Sequence, residues 1–159
     1  MTPITVPVAD LLPHAGRMRL LDRAIEGDAE HLVAEVDIRP DGLFFDGTGV
    51  GGWVGIEYMA QAIAAWAGLK ARAGGGTPRI GFLLGSRRYR CEVAHFLPGQ
   101  TLRVRIRCDY LADNGLGQFD CRIDIDGTPV ATAALTVYEP ADPAALLQRA
   151  AHDRQDAPT

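Results

Sequence analysis

The segment Gly51–Arg72, GGWVGIEYMAQAIAAWAGLKAR, decides the fold. It is long, rich in alanine and free of proline, so it predicts one helix of about six turns. The helix is apolar almost all the way round, which is typical of a buried helix. Before Lys70, its only strongly polar side chains are Glu57 and Gln61.

Glu57 and Gln61 lie four residues apart and therefore share one face of this helix. A buried carboxylate and a buried amide need hydrogen-bond partners or a chemical role. Spacing alone leaves two interpretations open: a polar contact between helices or subunits, or part of a reactive site.

Composition limits the class of protein. The chain has 159 residues, 47% of them hydrophobic and 23% charged, which predicts one globular domain with a substantial core. A net charge of −4 argues against nucleic acid as a partner. The cysteines are far apart within apolar runs, so we expect core thiols, no disulfide, no metal site and no cofactor. They are Cys91, Cys108 and Cys121.

The N-terminal sequence MTPITVPVADLL lacks the basic region and the long apolar run of a signal peptide. The central helix, with Glu57 and Gln61, is poorly suited to spanning a membrane. We therefore expect a cytoplasmic protein with no membrane partner.

Strands are predicted on both sides of the helix. Met18–Ala24 and His31–Ile38 flank a turn at Gly27-Asp28, which predicts a hairpin. Four strand segments follow the helix: Ile80–Val93 with a bulge near Gly85, Thr101–Leu111, Gln118–Ile125 and Pro129–Tyr138. The order predicts an α+β domain, an antiparallel sheet of about five to six strands wrapped around the helix.

This domain is predicted to cover residues 1–140. Residues 141–159 are predicted to form a C-terminal tail, partly disordered, with one short helix at Pro143–Ala151.

Charges suggest the register of the central hairpin. Placing Arg107 opposite Asp124 makes every charged pair opposite in sign and leaves a four-residue loop, Asn114–Gly117. A two-residue turn at Asn114-Gly115 would instead set Arg107 against Arg122. We prefer the first register, in which the apolar alternate positions face the helix. These are Val104, Ile106, Cys108, Cys121 and Ile123.

Several motifs follow one another in a characteristic order. They are Leu12-Pro13-His14, Met18–Arg23, Phe44-Phe45-Asp46-Gly47, the helix sequence GIEYMAQA at 55–62, and Phe96-Leu97-Pro98-Gly99. Over residues 10–138, this order resembles the 3-hydroxyacyl-[acyl carrier protein] dehydratases. The runs Trp53–Gln61 and Gly81–Gly85 are most similar to the dehydratase-like proteins of aryl polyene biosynthesis.

The resemblance implies the hotdog fold. It also implies dehydration of 3-hydroxyacyl-[acyl carrier protein] thioesters to trans-2-enoyl thioesters in polyene or fatty acyl synthesis. An acyl carrier protein with its phosphopantetheine thioester would then be a partner. Hotdog proteins usually pair through their sheets, so the resemblance further implies a homodimer or a heterodimer with another hotdog protein.

One catalytic group of this family is missing. The fatty-acid dehydratases carry a histidine in the loop before the helix, whereas residues 46–52 here contain none. Glu57 is retained and is predicted to donate or shuttle a proton. His14 is our preferred replacement for the base, with His95 and Asp46 as alternatives. Gln61 would orient Glu57 or bind substrate.

The start of the helix supplies further candidates. Free backbone N–H groups at Gly51, Gly52 and Trp53 are predicted to bind the thioester oxygen. Two more groups have open roles. The basic side chains Arg87, Arg88 and Arg90 could dock a carrier protein or form a solvated strand face. The aromatic residues could line an acyl tunnel or belong to the core or a dimer contact; they are Phe44, Phe45, Trp53 and Tyr58.

Two other functions fit the same residues. In hotdog thioesterases a carboxylate activates water, so Glu57 could serve an acyl thioesterase. The absent loop histidine would also suit a non-catalytic partner subunit of a hotdog dehydratase.

Overall fold

The computed structural model describes residues 1–76, 81–141 and 143–155. Its strands are β1 (Thr2–Pro3), β2 (Arg23–Gly27), β3 (His31–Asp37), β4 (Val50–Gly51), β5 (Phe82–Cys91), β6 (His95–Phe96), β7 (Thr101–Leu111), β8 (Leu116–Ile125) and β9 (Thr128–Tyr138). Its α-helices are α1 (Gly55–Ala73) and α2 (Pro143–Gln155). Single 3-10 turns occur at Val8–Asp10, Gly16–Met18 and Gly52–Val54.

Seven strands form one antiparallel sheet in the order β1-β2-β3-β7-β8-β9-β5, and β4 pairs with β6 separately. The sheet packs around α1, which confirms the predicted hotdog arrangement. The strand count exceeds the predicted five to six, and the two-residue β1 lies at one edge. Within the described ranges, no helix is long and apolar enough to cross a membrane.

The core lies between α1 and the middle of the sheet. Met59, Ala62 and Ala65 on the helix are fully buried, as are Leu102 and Val104 on β7. Burying this apolar surface is the main stabilising contribution to such a domain. Of the residues predicted to face the helix, Cys108 alone is half-buried and the rest are buried. Cys91 is also half-buried, and all three thiols are free.

Helix α1 begins at Gly55, four residues later than predicted. The preceding residues have other hydrogen-bond partners, because β4 pairs with β6 and Gly52–Val54 form the 3-10 turn. At its far end, the N–H of Gly74 donates to the carbonyl of Lys70.

Gly68 lets the N-terminal segment cross the helix closely. A Cβ at this position would lie 2.0 Å from the carbonyl oxygen of Leu11. Only glycine therefore permits this contact without a backbone shift. The contact fixes the path of the chain three residues before His14.

The β2–β3 hairpin is confirmed, with its turn closed by Asp28 N–H donating to the His31 carbonyl at 3.0 Å. The predicted bounds of its first strand, Met18–Ala24, are wrong. The Leu20 N–H and the Met18 carbonyl instead bond to the side chain of Gln61. The strand therefore starts only at Arg23.

The predicted register of the β7–β8 hairpin, with Arg107 opposite Asp124, is wrong. The alternative register, with a two-residue turn at Asn114-Gly115, is wrong as well. Arg103 lies opposite Asp124, and Arg105 lies opposite Arg122. This like-charged pair is tolerated because both arginines donate to Oδ2 of Asp124, at 3.1 and 3.0 Å. The loop has four residues, but it spans 112–115 and a bulge after Cys108 shifts the pairing.

The long strand after α1 is present as β5, and the predicted bulge near Gly85 is confirmed. The predicted first residue, Ile80, lies outside the described residues. A second irregularity falls between Arg87 and Arg90, where Arg88 has a φ of 55°. In the tail, α2 runs four residues beyond the predicted end at Ala151, and residues 156–159 lie outside the described part.

Candidate active site

His14 and Glu57 meet within one chain. Nε2 of His14 lies 3.9 Å from Oε1 of Glu57, and their side chains are 28% and 38% exposed. The distance exceeds a hydrogen bond but is short enough for one small reacting group to contact both. Both side chains line the same cavity.

Gln61 holds Glu57 in place from one turn further along α1. Its amide nitrogen donates to Glu57 Oε1 at 3.2 Å and to the Met18 carbonyl at 2.7 Å. Its amide oxygen accepts the N–H of Leu20 at 2.8 Å. Gln61 is 0% exposed, so its contacts are those of an orienting residue.

His14 is placed by the buried segment before it. Leu11 and Leu12 are 0% and 5% exposed, and the Leu11 carbonyl rests on Gly68 of α1. The two ring nitrogens of His14 have different surroundings. Nε2 faces Glu57, whereas Nδ1 is buried and has no hydrogen-bond partner among the described residues.

The cavity has a volume of about 670 Å³ and follows α1 away from Glu57. Its helix side carries small residues spaced three or four apart: Ala60, Ala64, Ala67 and Ala71. From Glu57 to Ala71 the helix rises about 21 Å at 1.5 Å per residue. Residues of β5, β8 and β9 form the opposite wall, among them Leu83, Phe119 and Val137. The result is a long, mainly apolar groove with the polar pair at one end.

Some backbone groups at the start of α1 that the sequence suggests are free already have hydrogen-bond partners. The N–H of Gly52 donates to the Ala94 carbonyl at 2.9 Å, and the hydroxyl of Tyr89 donates to the Gly52 carbonyl. Trp53 is 68% exposed. The N–H of Gly52 is therefore occupied in this structure, while Gly51 and Trp53 stay predicted donors.

The other candidate bases pair with each other. Nε2 of His95 lies 2.8 Å from Oδ2 of Asp46. Backbone N–H groups of Thr48 and Gly49, and then His95, lower the pKa of Asp46 to about 2. This pair ties the loop before α1 to β6, and neither residue is among those that line the cavity.

The aromatic residues of the cavity are not those proposed from the sequence. Tyr58 is 3% exposed and packs against Phe96 in the core, while Phe44 packs edge-on against Trp53. Trp66 and Phe119 line the cavity instead, with their rings 5.4 Å apart. The helical spacing of Trp66 fitted a core position equally well, so the sequence did not single it out.

The fold and this site define a hotdog protein with a carboxylate and a histidine at one end of an apolar groove. The family model of the ApeP-like proteins, described as ApeP dehydratase, matches residues 6–148. The chain belongs to this family of dehydratases, which are lyases of aryl polyene biosynthesis.

Solved structures agree with this assignment. The chain is similar to the dehydratase heterocomplex ApeI:P from Xenorhabdus doucetiae, with a TM-score of 0.82 and 32% identity over 91% of this chain and 97% of that chain. No curated protein matches the sequence.

More distant structures share the fold alone. A hypothetical thioesterase from Streptococcus pneumoniae TIGR4, solved with coenzyme A, has a TM-score of 0.58 and 14% identity over 74% of this chain and 84% of that one. The PaaI protein of E. coli has a TM-score of 0.57 and 13% identity, covering 74% and 78%.

Proposed function

We propose that this protein removes water from 3-hydroxyacyl-[acyl carrier protein] thioesters and forms trans-2-enoyl thioesters during aryl polyene or related acyl synthesis. One observation carries the proposal. His14 and Glu57 lie 3.9 Å apart at one end of a cavity of about 670 Å³. Family membership supports a dehydratase, and this geometry supports the site of the reaction.

The reaction needs three kinds of group. A base removes the proton next to the thioester, an acid protonates the departing hydroxyl, and donors stabilise charge on the thioester oxygen. Glu57 and His14 supply proton acceptor and donor groups within reach of one substrate. Gln61 fixes the carboxylate, and N–H groups at Gly51 or Trp53 are candidates for the third role.

The groove beyond Glu57 suits an extended acyl chain. Its row of alanines offers no bulky side chain to obstruct a long substrate. Apolar walls bind apolar ligands by removing their surface from water. The length of about 21 Å between Glu57 and Ala71, at 1.5 Å per residue, supports a long acyl group rather than a short one.

Three arginines of β5 support an acidic carrier-protein partner. Arg87, Arg88 and Arg90 are exposed, and none forms an ion pair within the described ranges. Arginines of the β7–β8 hairpin, by contrast, are paired with carboxylates. Unpaired guanidinium groups on a chain of net charge −4 favour docking of an acidic partner or binding of a phosphate.

The open edge of β5 supports pairing with a second hotdog subunit. This strand ends the sheet order, and Leu83 and Leu84 on it are 41% and 59% exposed. An uncovered strand edge can extend its sheet into another chain. The solved relative from Xenorhabdus doucetiae is described as a heterocomplex. A homodimer and a heterodimer are both consistent with this edge. The cytoplasmic location stays a prediction from the sequence.

The test supplies 3-hydroxyacyl thioesters on an acyl carrier protein to the purified protein and measures the enoyl product by mass spectrometry. Wild type should form the product, and Glu57→Gln and His14→Ala should each lose at least about 100-fold in kcat/KM, the scale of general acid–base catalysis. His31→Ala and Glu26→Gln are matched controls, since both residues lie away from the cavity.

Free thiol without enoyl product would instead establish a thioesterase. Should wild type act only when mixed with a second hotdog protein, Glu57→Gln is tested in the mixture. Retained activity there would show a non-catalytic partner subunit and overturn the proposal.

A further inference from the structure

We propose that Glu57 is the base of this site and that His14 acts as a neutral N–H donor to the thioester oxygen. This inference rests on the proposed function. It moves the role of base from His14, where the sequence placed it, to Glu57, and gives His14 the role of hydrogen-bond donor. It starts from the unequal surroundings of the two nitrogens of His14.

A neutral imidazole carries one proton, on either nitrogen. On Nδ1, that proton would be a buried donor with no acceptor among the described residues. The bare Nε2 would then point its lone pair toward Glu57 Oε1, 3.9 Å away. On Nε2, the same proton faces a carboxylate oxygen instead. Buried donors without acceptors are rare and costly, so the site favours the Nε2–H form.

This tautomer cannot accept a proton at Nε2, because the position is already filled. Its remaining lone pair is on Nδ1, which is buried and out of reach of substrate. His14 therefore cannot remove the proton next to the thioester. Two carboxylates line the cavity within the described parts of the chain, Glu57 and Glu139, and Glu57 is the one that lies 3.9 Å from His14.

The contacts of Glu57 suit a base. Its Oε1 accepts the amide N–H of Gln61 at 3.2 Å and is faced by His14. No hydrogen bond of the described residues uses Oε2, which belongs to a side chain that is 38% exposed. One oxygen is thus held while the other has no hydrogen-bond partner among the described residues.

The reaction then balances with a single carboxylate. Oε2 of Glu57 takes the proton from carbon 2, and the electron pair of that C–H bond moves into the thioester carbonyl as an enolate. Nε2–H of His14 donates a hydrogen bond to the enolate oxygen. The electron pair returns, the bond between carbon 3 and its oxygen breaks, and the hydroxyl leaves as water with the proton held by Glu57. His14 stays neutral throughout, and no loop histidine is required.

Amide substitutions at His14 distinguish a role of this residue as hydrogen-bond donor from a role as base. In His14→Gln, the side-chain N–H reaches the place of Nε2 but does not act as a base. We expect it to be at least about 10-fold more active in kcat/KM than His14→Ala, which loses about 100- to 1000-fold as when an oxyanion donor is removed. In His14→Asn, the amide reaches only the buried Nδ1 place, so we expect activity close to that of His14→Ala. Equal loss in His14→Gln and His14→Ala, with both variants folded, would overturn the inference.

The tautomer can also be measured without any reaction. Long-range ¹H–¹⁵N spectra of ¹⁵N-histidine-labelled protein distinguish the two forms, and the His14 signals are those that vanish in any folded variant among His14→Gln, His14→Asn and His14→Ala. We expect the Nε2–H pattern, and an Nδ1–H pattern would refute the inference even if His14→Gln fails to fold. Absence of dehydration by wild type, together with the Nε2–H pattern, would refute the proposed function and the two roles in it while leaving the assigned tautomer in place.

Discussion

Replacing Gln61 with alanine should destabilise the fold and disable the site together. The substitution leaves the Leu20 N–H and the Met18 carbonyl without their partners and removes the amide that holds Glu57. Each orphaned polar group costs about 1–3 kcal/mol when it is shielded from water. These two groups are part-buried, so we expect a total loss of about 2–4 kcal/mol in the free energy of unfolding.

Thermal and urea unfolding measure this loss. For a domain of this size, each kcal/mol corresponds to about 2–4 °C in Tm, so we expect a drop of about 5–15 °C. The kcat/KM for dehydration should fall as well, since the Glu57 carboxylate is no longer oriented. Gln155→Ala, at an exposed position of α2, is the matched control and should stay within about 0.5 kcal/mol of wild type.

A different result would refute this reasoning. If Gln61→Ala unfolds within about 1 °C of wild type, below the smallest shift expected for 1 kcal/mol, the two hydrogen bonds to Met18 and Leu20 do not hold the N-terminal segment on the helix. If stability falls but kcat/KM of the folded variant does not change, Gln61 supports the fold without positioning Glu57.

Three further predictions concern the crossing at Gly68, the loop before α1 and the cavity. Gly68→Ala should lower the urea midpoint, despite alanine's better helix propensity, because the new Cβ would lie 2.0 Å from the Leu11 carbonyl oxygen; a raised midpoint would contradict this contact. The folded-state pKa of Asp46 is lowered to about 2, so its contribution is present above the unfolded pKa near 4 and is lost as pH falls toward 2. Wild type should therefore lose more stability than Asp46→Asn between pH 4 and pH 2, and parallel stability profiles would count against the pairing of Asp46. Ala64→Phe should lower kcat/KM for long acyl chains more than for short ones, and an equal effect on both would show that the chain does not occupy this groove.

The helix and its carboxylate are predictable from the sequence because both depend on local pattern. A long apolar run without proline specifies α1, and a lone acidic residue in such a run points to Glu57 as a group with a role. The alternation of β7 fixes its bounds for the same reason, and Thr101–Leu111 is found as predicted.

Features set by distant partners are not predictable in this way. Residues 18–20 alternate like a strand, but the side chain of Gln61, 41 to 43 residues away, bonds the Leu20 N–H and the Met18 carbonyl. The register of β7 and β8 places Arg105 opposite Arg122, a pairing that like charges disfavour. It is stable because the Asp124 carboxylate accepts hydrogen bonds from both arginines. Pairwise charge rules do not include a carboxylate shared by two arginines.

The candidate site is predictable in part: its residue types follow from the sequence, but their positions depend on distant contacts. The sequence identifies His14 and Glu57 as residue types, but their approach depends on the close contact between Gly68 and Leu11. The alanine row is visible as a helical spacing. Whether it packs against the core or borders a cavity depends on where β5, β8 and β9 pass.

A double-mutant cycle on His14 and Glu57 tests the central claim most directly. The kcat/KM for dehydration is measured for wild type, His14→Ala, Glu57→Gln and the double variant, each confirmed to be folded. Residues that act as one unit are strongly non-additive, so the double variant should be no more than about 10-fold slower than the slower single variant. Losses that multiply would show two independent sites and contradict the catalytic pair.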